Sequence, residues 1–543
     1  MIYPDGILPW NIREFKNVHD NFIQPLDEDQ SFDLLLDDPS FQGMNSLSKY
    51  LKCTANIQWV IKTAQTRQMD IRAVGSGWSL SKVAVSDNAL INTKRLRLKF
   101  ALSSENFLPE LLEKGIDQGN YRFLQCGNTM IGISEYLEQQ SDPAKSIRVS
   151  GASNGQTIVG GFSTGTHGSA IFFGSLAEMI HGIHLITDPD HHYYIERSSN
   201  KITSPKFHAK LGAEVILDDE LFNAVLVSFG SFGIIHGVLI EVENKFLLEQ
   251  RSMRVGFDER LEKAVTLGEF SAIEGLLKYP ISDSDHPIYH FDLVINPHDF
   301  EYNNSEKGVY MRVMHKSVYK PDYTPVDSRA EGFTYGDGSL GLMQSVLDSI
   351  EAKAGFLNKI LVPEMVKALF NVAYNRPQEA IGTMGETFRN TLFRGQIFSL
   401  AIGLDIKDVK KVIDLSLAIN KIHRLAGVIA LRFVKGTEAT LGFTKWEKTC
   451  VMELDGVDTK INYRFFKSLA ERMENNGIQY TLHWGKINHT LDKNRLNWMY
   501  GTENVKSWKR QRSRVMSKEI QKLFNNEFLR QCGLDEYEPY DHL

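Results

Sequence analysis

With 543 residues, 42% of them apolar and 24% charged, the chain has the balance of an ordinary soluble globular protein and exceeds what one hydrophobic core usually serves. Its 61 basic and 67 acidic residues leave a net charge of −6, so neither a polyanion-binding surface nor a nucleic-acid partner is implied. No run of about 18 apolar residues occurs, which excludes an ordinary helical membrane span. The opening MIYPDGILPWNIREF has no basic stretch leading into an apolar one, so no signal peptide is expected. Cys53, Cys126, Cys450 and Cys532 show no paired spacing and read as free, mostly buried thiols of a reducing compartment. A cytoplasmic protein is the expectation.

In residues 57–69, Ile57, Val60, Ile61 and Ala64 recur at helical spacing, and Ile71-Arg72-Ala73-Val74 then reads as a short strand ending in glycines. Residues 121–149 predict strand, helix, strand in FLQCG, IGISEYLEQQ and SIRVSG. Strands in LAEMIHGIHLIT and YYIERS flank Asp188-Pro189-Asp190-His191-His192, a Pro/Asp-rich hairpin turn rather than a metal site. Asp218-Asp219-Glu220 opens a helix with acids where the dipole favours them, and a strand follows at Gly237–Val242. From Phe246 onward, RSMRVGFDER, HFDLVINPHDF and GVYMRVMHKSV alternate like antiparallel strands with one wet face.

Residues 326–394 are less regular and hold the apolar helix candidate LNKILVPEMVKALFNVAY. A helix is predicted within Lys407–Arg424, two strands within Leu431–Leu454, and a helix over 462–475 stopped by Gly477. In the strand Ile478–Trp484 the even positions are apolar, leaving Gln479, Thr481 and His483 on the polar face. Basic Lys506–Arg514 reads as a solvated helix face.

Two segments cannot build core, for lack of apolar bulk. One is the turn Val74-Gly75-Ser76-Gly77-Trp78-Ser79; the other is SGASNGQTIVGGFSTGTHGS over residues 150–169. Ser150, Gly151, Ser153, Gly155, Gly160, Gly161, Ser163, Thr164, Gly165 and Thr166 offer bare N–H groups and short hydroxyls, which together can line an anion such as a pyrophosphate, and Asn154 and Gly168 of the same run are counted as cofactor-binding candidates with them. Two such loops in one N-terminal region point to a large nucleotide cofactor. No glycine stands three residues after Gly77, so the dinucleotide fingerprint is absent and a Rossmann fold is a poor fit.

GSGWS, SGxxxGQTIVGGFSTGTHGS and Gly230-Ser231-Phe232-Gly233-Ile234-Ile235 resemble the PCMH-type FAD-binding domain of the vanillyl-alcohol-oxidase superfamily. His483-Trp484-Gly485-Lys486 resembles the HWGK element of its aldonolactone and alditol oxidase branch. The resemblance implies an α+β fold: a two-part FAD-binding domain over 1–245 (core about 48–245), a cap over 246–450 on an antiparallel sheet with flanking helices, and a segment 451–543 completing the active site.

It also implies FAD held by the two loops, by His167 as a structural member of the second, and by Gly233, Ile234 and Ile235 at the adenine end. Lys486 would stabilise negative charge on the ring, beside Arg432 and His483, the latter as general base or as an orienting wall. Arg432 corresponds to the arginine of an acid-x-arginine element whose acid is here Ala430; Glu438, Glu447 and Glu453 are all left as replacements. For Arg432 a surface-strand position is an equal alternative, and His489 is a spare candidate.

The reaction implied is oxidation of a CH–OH group of a small-molecule sugar, polyol, lactone or secondary metabolite, with O2 as acceptor. The alternatives are a dehydrogenase using another acceptor and a non-catalytic FAD-holding protein. Many relatives attach FAD through a histidine where Trp78 stands; indole cannot make that bond, so non-covalent FAD is expected. At Gly151, relatives that act as oxidases tend to have glycine; the alternative is a glycine serving only an unusual backbone angle.

Overall fold

The computed structural model describes residues 2–274, 288–324, 326–327, 358–374, 377–389 and 396–540. Helix Ser46–Arg67 starts at Asn45, whose side chain accepts from Ser48 N–H, and stops at Gln68 in the left-handed region. Its inner face, Cys53, Ile57, Val60, Ile61 and Ala64, is buried, as the spacing predicts. The N-terminal region is indeed two-part. A four-stranded sheet runs Ile7–Pro9, Phe32–Leu34, Ala89–Asn92, Ile71–Val74. A six-stranded sheet runs Glu214–Leu217, His192–Glu196, Ile180–Ile186, Ile234–Glu241, Tyr121–Gln125, Lys99–Ala101. Strands Ile180–Ile186 and His192–Glu196 are antiparallel neighbours, so residues 187–191 form the hairpin turn; there His191 Nδ1 meets Asp188.

The cap is a nine-stranded sheet in the order Val326–Asp327, Gln378–Thr383, Phe246–Val255, Val309–Val318, Ile288–Ile295, Gly427–Lys435, Lys448–Val457, Ile397–Asp405, Tyr480–Leu482. The expected boundary at residue 450 therefore falls inside a central strand, and the cap sheet continues to Leu482. A ladder cannot be cut between bonded neighbours without orphaning backbone groups. Both faces of most cap strands are buried, unlike the one wet face expected. Helix Asn358–Tyr374 forms where LNKILVPEMVKALFNVAY predicts it; most of the irregular stretch 326–394 lies outside the described residues.

Helix Thr502–Val515 returns to the N-terminal region. Trp508 Nε1 donates to Val227 O at 3.1 Å and Arg512 Nε to Ser231 O at 2.9 Å. Lys509 and Arg512 are buried, which corrects the solvated-face expectation: Arg512 donates to Ser231 O, in the turn before the strand Ile234–Glu241, and to Gln521 O of helix Lys518–Leu523, and Lys509 pairs with Glu536. Their charge serves to close a tertiary joint.

Several histidines are buried in the neutral form. In the six-stranded sheet His236 stacks on Tyr50 at 4.0 Å, and burial lowers its pKa to about 3. His167 is likewise lowered to about 4 by burial. The unfolded chain takes up these protons near pH 6.5 and the folded chain refuses them. Stability is then full above pH 6.5 and falls as the pH drops through 6.5 toward 4, by about 3 kcal/mol for each group. Thermal unfolding by circular dichroism between pH 7 and 4 should show a steep loss of Tm; a flat profile would contradict the burial of neutral imidazoles.

Candidate active site

The loops and the C-terminal motif, distant in sequence, interlock. Leu80 N–H donates to Gly485 O at 2.8 Å and Ser81 Oγ to Trp484 O at 2.6 Å. A side chain at Gly485 would stand 3.0 Å from Thr164 Oγ1 and 3.3 Å from Ser79 Oγ, so GSGWS, STGTHGS and HWGK meet at this one glycine. Val18 N–H donates to Gly77 O at 2.8 Å, which brings the N-terminal segment, with Phe15 and His19, over the first loop. At the end of the second loop Ser169 Oγ donates to Phe291 O and accepts from Phe433 N–H, clamping the loop to two cap strands.

Between these parts lies a cavity of about 280 Å³. All six upstream candidates, Val74 to Ser79, line it. From the second loop Gly151, Ser153, Gly160, Thr164, Thr166 and His167 do, joined by Gln156 and Thr157. Ser150, Asn154, Gly155, Ser163, Gly165 and Gly168 stand behind that wall. Gly155 is pressed against the Trp78 indole, where a Cβ would come within 2.4 Å, and Gly168 against the Ser150 carbonyl at 2.6 Å. Gly233, Ile234 and Ile235 do not line the cavity; Gly233 (φ +113°) makes the close turn into the strand Ile234–Glu241, with Ile186 O 2.4 Å from where its Cβ would be. The second loop is not bare throughout: Ile158–Ser163 is a short helix capped by Thr157.

At the cap side the sheet register settles the missing acid. Ala430 lies directly opposite Glu453 on the next strand, so the carboxylate comes from across the ladder on the same face. Glu453 Oε2 pairs with Arg432 Nη2 at 3.0 Å and Glu453 Oε1 with Lys486 Nζ at 3.2 Å. Glu438 and Glu447 are exposed. Arg432 is 6% exposed, so the surface-strand alternative is overturned. Burial pushes the Glu453 carboxyl up, but the charges of Arg432 and Lys486 prevail and hold it well below the usual carboxylate range.

Asp455, two residues on and half-buried in the cavity wall, moves the other way: burial and the neighbouring Glu453 charge raise it. Its Oδ1 accepts from Ser399 Oγ at 2.6 Å, and Ser399 Oγ in turn accepts from Lys486 Nζ. Sequence reasoning missed Asp455 and Ser399. The signal available was the i, i+2 spacing of Glu453 and Asp455 in a strand, which sets both on one face.

His483 is buried with Thr481, not on a wet face: the strand Tyr480–Leu482 is covered on both sides, and only Gln479 is exposed. Its Nδ1 accepts from Gly485 N–H at 3.0 Å, which places the proton on Nε2. Burial, with His167 and Lys486 nearby, holds its pKa well below 6.5. A ring with no free lone pair and so weak a basicity does not suit a general base; His483 fixes the HWGK turn. His489 packs on Tyr463 at 4.7 Å and does not line the cavity.

No family model matches the chain. Over 223 residues, 41% of this chain and 36% of the relative, it is 24% identical to a D-arabinono-1,4-lactone oxidase of Candida glabrata, so it spans about a third of that protein's length. Over 436 residues, 80% of this chain and 84% of the relative, it is 22% identical to an L-gulono-1,4-lactone dehydrogenase of Mycobacterium tuberculosis. Among solved structures it is similar to a solvent-stable cholesterol oxidase, with TM-score 0.68 and 14% identity over 98% of this chain and 99% of that one. A cholesterol oxidase from Brevibacterium sterolicum gives TM-score 0.65 and 13% identity over 98% and 100%. The chain is thus similar in sequence to aldonolactone oxidases and dehydrogenases and shares its fold with the cholesterol oxidases, which fits the resemblance to a PCMH-type fold.

Proposed function

We propose that the chain is an FAD-dependent oxidoreductase that oxidises a CH–OH group, with O2 reoxidising the flavin. The observation that carries this is the convergence at Gly485, which joins both small-residue loops to the Lys486–Glu453–Arg432 cluster around one cavity. The loops fit FAD on their own chemistry. Ser76 Oγ and Gln156 Oε1 are buried at the cavity with no partner among the described residues, and Gly75 admits no side chain, since a Cβ would strike Thr157 at 2.3 Å. These groups and the backbone of Gly75–Ser79 would hold the cofactor. FAD, when bound, accepts hydride from the substrate carbon.

The chain's own residues do the rest. Asp455 takes up the alcohol proton at its carboxylate, directly or through Ser399 Oγ, since its raised pKa suits it to receive one. Once Asp455 has taken the proton, Arg432 and Lys486 set two positive charges against the one left on Glu453, and the surplus favours negative charge arriving in the cavity.

The test is an absorbance spectrum of the purified protein followed by an alcohol panel scored by anaerobic flavin bleaching; a colourless protein that binds no added FAD sinks the reading. Trp78 supports dissociable FAD: after acid precipitation the flavin should stay in the supernatant, and a yellow washed pellet would show covalent attachment.

The relatives' names include both oxidase and dehydrogenase, and O2 as acceptor rests on Gly151. It lines the cavity, and its φ lies outside the left-handed region, so no unusual backbone angle demands a glycine there. A Cβ would meet Thr166 Cγ2 at 3.1 Å, tight but within reach of a small shift. Gly151→Ala should keep its rate of flavin reduction and lose at least tenfold in the rate of reoxidation by O2. Equal reoxidation in the variant would return the acceptor to a protein or quinone.

A further inference from the structure

The cap side of the cavity is apolar. Val294 and Ala430 on the sheet face Val366, Phe370 and Tyr374 of helix Asn358–Tyr374, and Val428 extends the wall. Each of the first five is at most 9% exposed. The polar groups on this side are largely committed to one another: Arg432 and Lys486 to Glu453, and Ser399 to Lys486 and Asp455. Ala430 adds no polar group beside them. Among the described residues, what this side offers a ligand is a narrow polar edge, the second carboxylate oxygen of Asp455 and the third N–H of Lys486, at the border of a wall that is hydrocarbon apart from the Tyr374 hydroxyl.

A sugar lactone or polyol brings several hydroxyls, and each one buried against Val294, Phe370 or Val366 would lose its water without replacement. We infer that the substrate is a largely apolar alcohol, cyclic or branched, with a single hydroxyl that meets Asp455 while its hydrocarbon body lies against the Val294–Ala430–Phe370 wall. This rests on the alcohol-oxidising reading above and names its substrate class. Each added methylene buried there raises affinity about fourfold.

The experiment is calorimetric titration of the FAD-saturated protein with cyclohexanol, 4-methylcyclohexanol and 4-tert-butylcyclohexanol, and with L-gulono-1,4-lactone. Affinity should climb along the cyclohexanol series with a negative heat-capacity change, and the lactone should bind at least a hundredfold more weakly than the largest member. Phe370→Ala should flatten the series by about tenfold at its upper end. Val428→Thr, which keeps shape and guards against a misfolded first variant, should weaken the largest alcohol several-fold, while FAD affinity stays constant in both.

Tighter binding of the lactone, no dependence on hydrocarbon size, or no binding by any of the four overturns the inference. The two readings fail separately. Cyclohexanols that bind as described but never bleach the flavin uphold the ligand class and sink the reaction. Bleaching by the lactone alone upholds the reaction and sinks the ligand class.

Discussion

Asp455→Asn should slow anaerobic flavin reduction by roughly two to four orders of magnitude, the range for loss of a positioned general base, while FAD stays bound. The two strand neighbours Glu453 and Asp455 share a buried face, but the cations are unevenly placed. Glu453 sits between Arg432 and Lys486 and stays ionised; Asp455 is raised by burial and by the Glu453 charge. Environments that drive two carboxyls apart assign them different work. In the proposed reaction Glu453 holds the cations in place, and Asp455 exchanges the proton.

The pH profile separates this from a structural effect. In the native enzyme the reduction rate should rise with pH through an ionisation above the ordinary value of 3.8 for an aspartate, because the proton acceptor must be deprotonated. Asparagine cannot titrate, so the variant should lose that ascending limb along with the rate. An unchanged rate, or a slowed rate that keeps the limb, would place the base elsewhere.

The loops were legible in the sequence because their composition has little other use: runs of glycine and short hydroxyl residues bury little, and both do line the cavity, although Ile158 and Phe162 of the second run enter the core, which the expectation of no core there missed. The helix Ser46–Arg67 and the alternating cap strands were legible by period. Register was not. Which of Glu438, Glu447 and Glu453 faces Ala430 depends on how the strand Gly427–Lys435 pairs with Lys448–Val457, and a one-residue slip would turn every side chain to the other face. Asp455 was hidden for the same reason. The face of His483 was misjudged because alternation marks two sides of a strand, not which side is wet. Once a cavity and a covering loop stand on the polar side, Thr481 and His483 are both interior. The basic run Lys506–Arg514 misled similarly, since a buried arginine that closes helix ends looks, in sequence, like a solvated one.

Lys486→Met should reduce the rate of flavin reduction about 100-fold, which corresponds to about 3 kcal/mol for one lost charge-assisted contact in a water-excluded site. In the native protein, once Asp455 has taken the proton, Arg432 and Lys486 outnumber Glu453 by one charge. Without Lys486 the cluster is a neutral Arg432–Glu453 pair, and the cavity loses its surplus positive charge. It also loses the donor that Ser399 accepts from, so the Ser399 contact to Asp455 is less firmly aimed. Glu453 keeps one partner at 3.0 Å, so the variant should fold, whereas Glu453→Ala would strand the buried Arg432 beside a half-buried Lys486 and cost about 3 to 5 kcal/mol of stability. FAD affinity in Lys486→Met should change by less than tenfold, because the loops, not the cluster, would hold the cofactor. Lys486→Arg should recover part of the rate by restoring the charge in a different shape. Stopped-flow reduction under anaerobic conditions, paired with an FAD titration, reads both quantities. If Lys486→Met reduces its flavin at the native rate, Lys486 has no part in the chemistry, and HWGK serves only to join the loops to the cap.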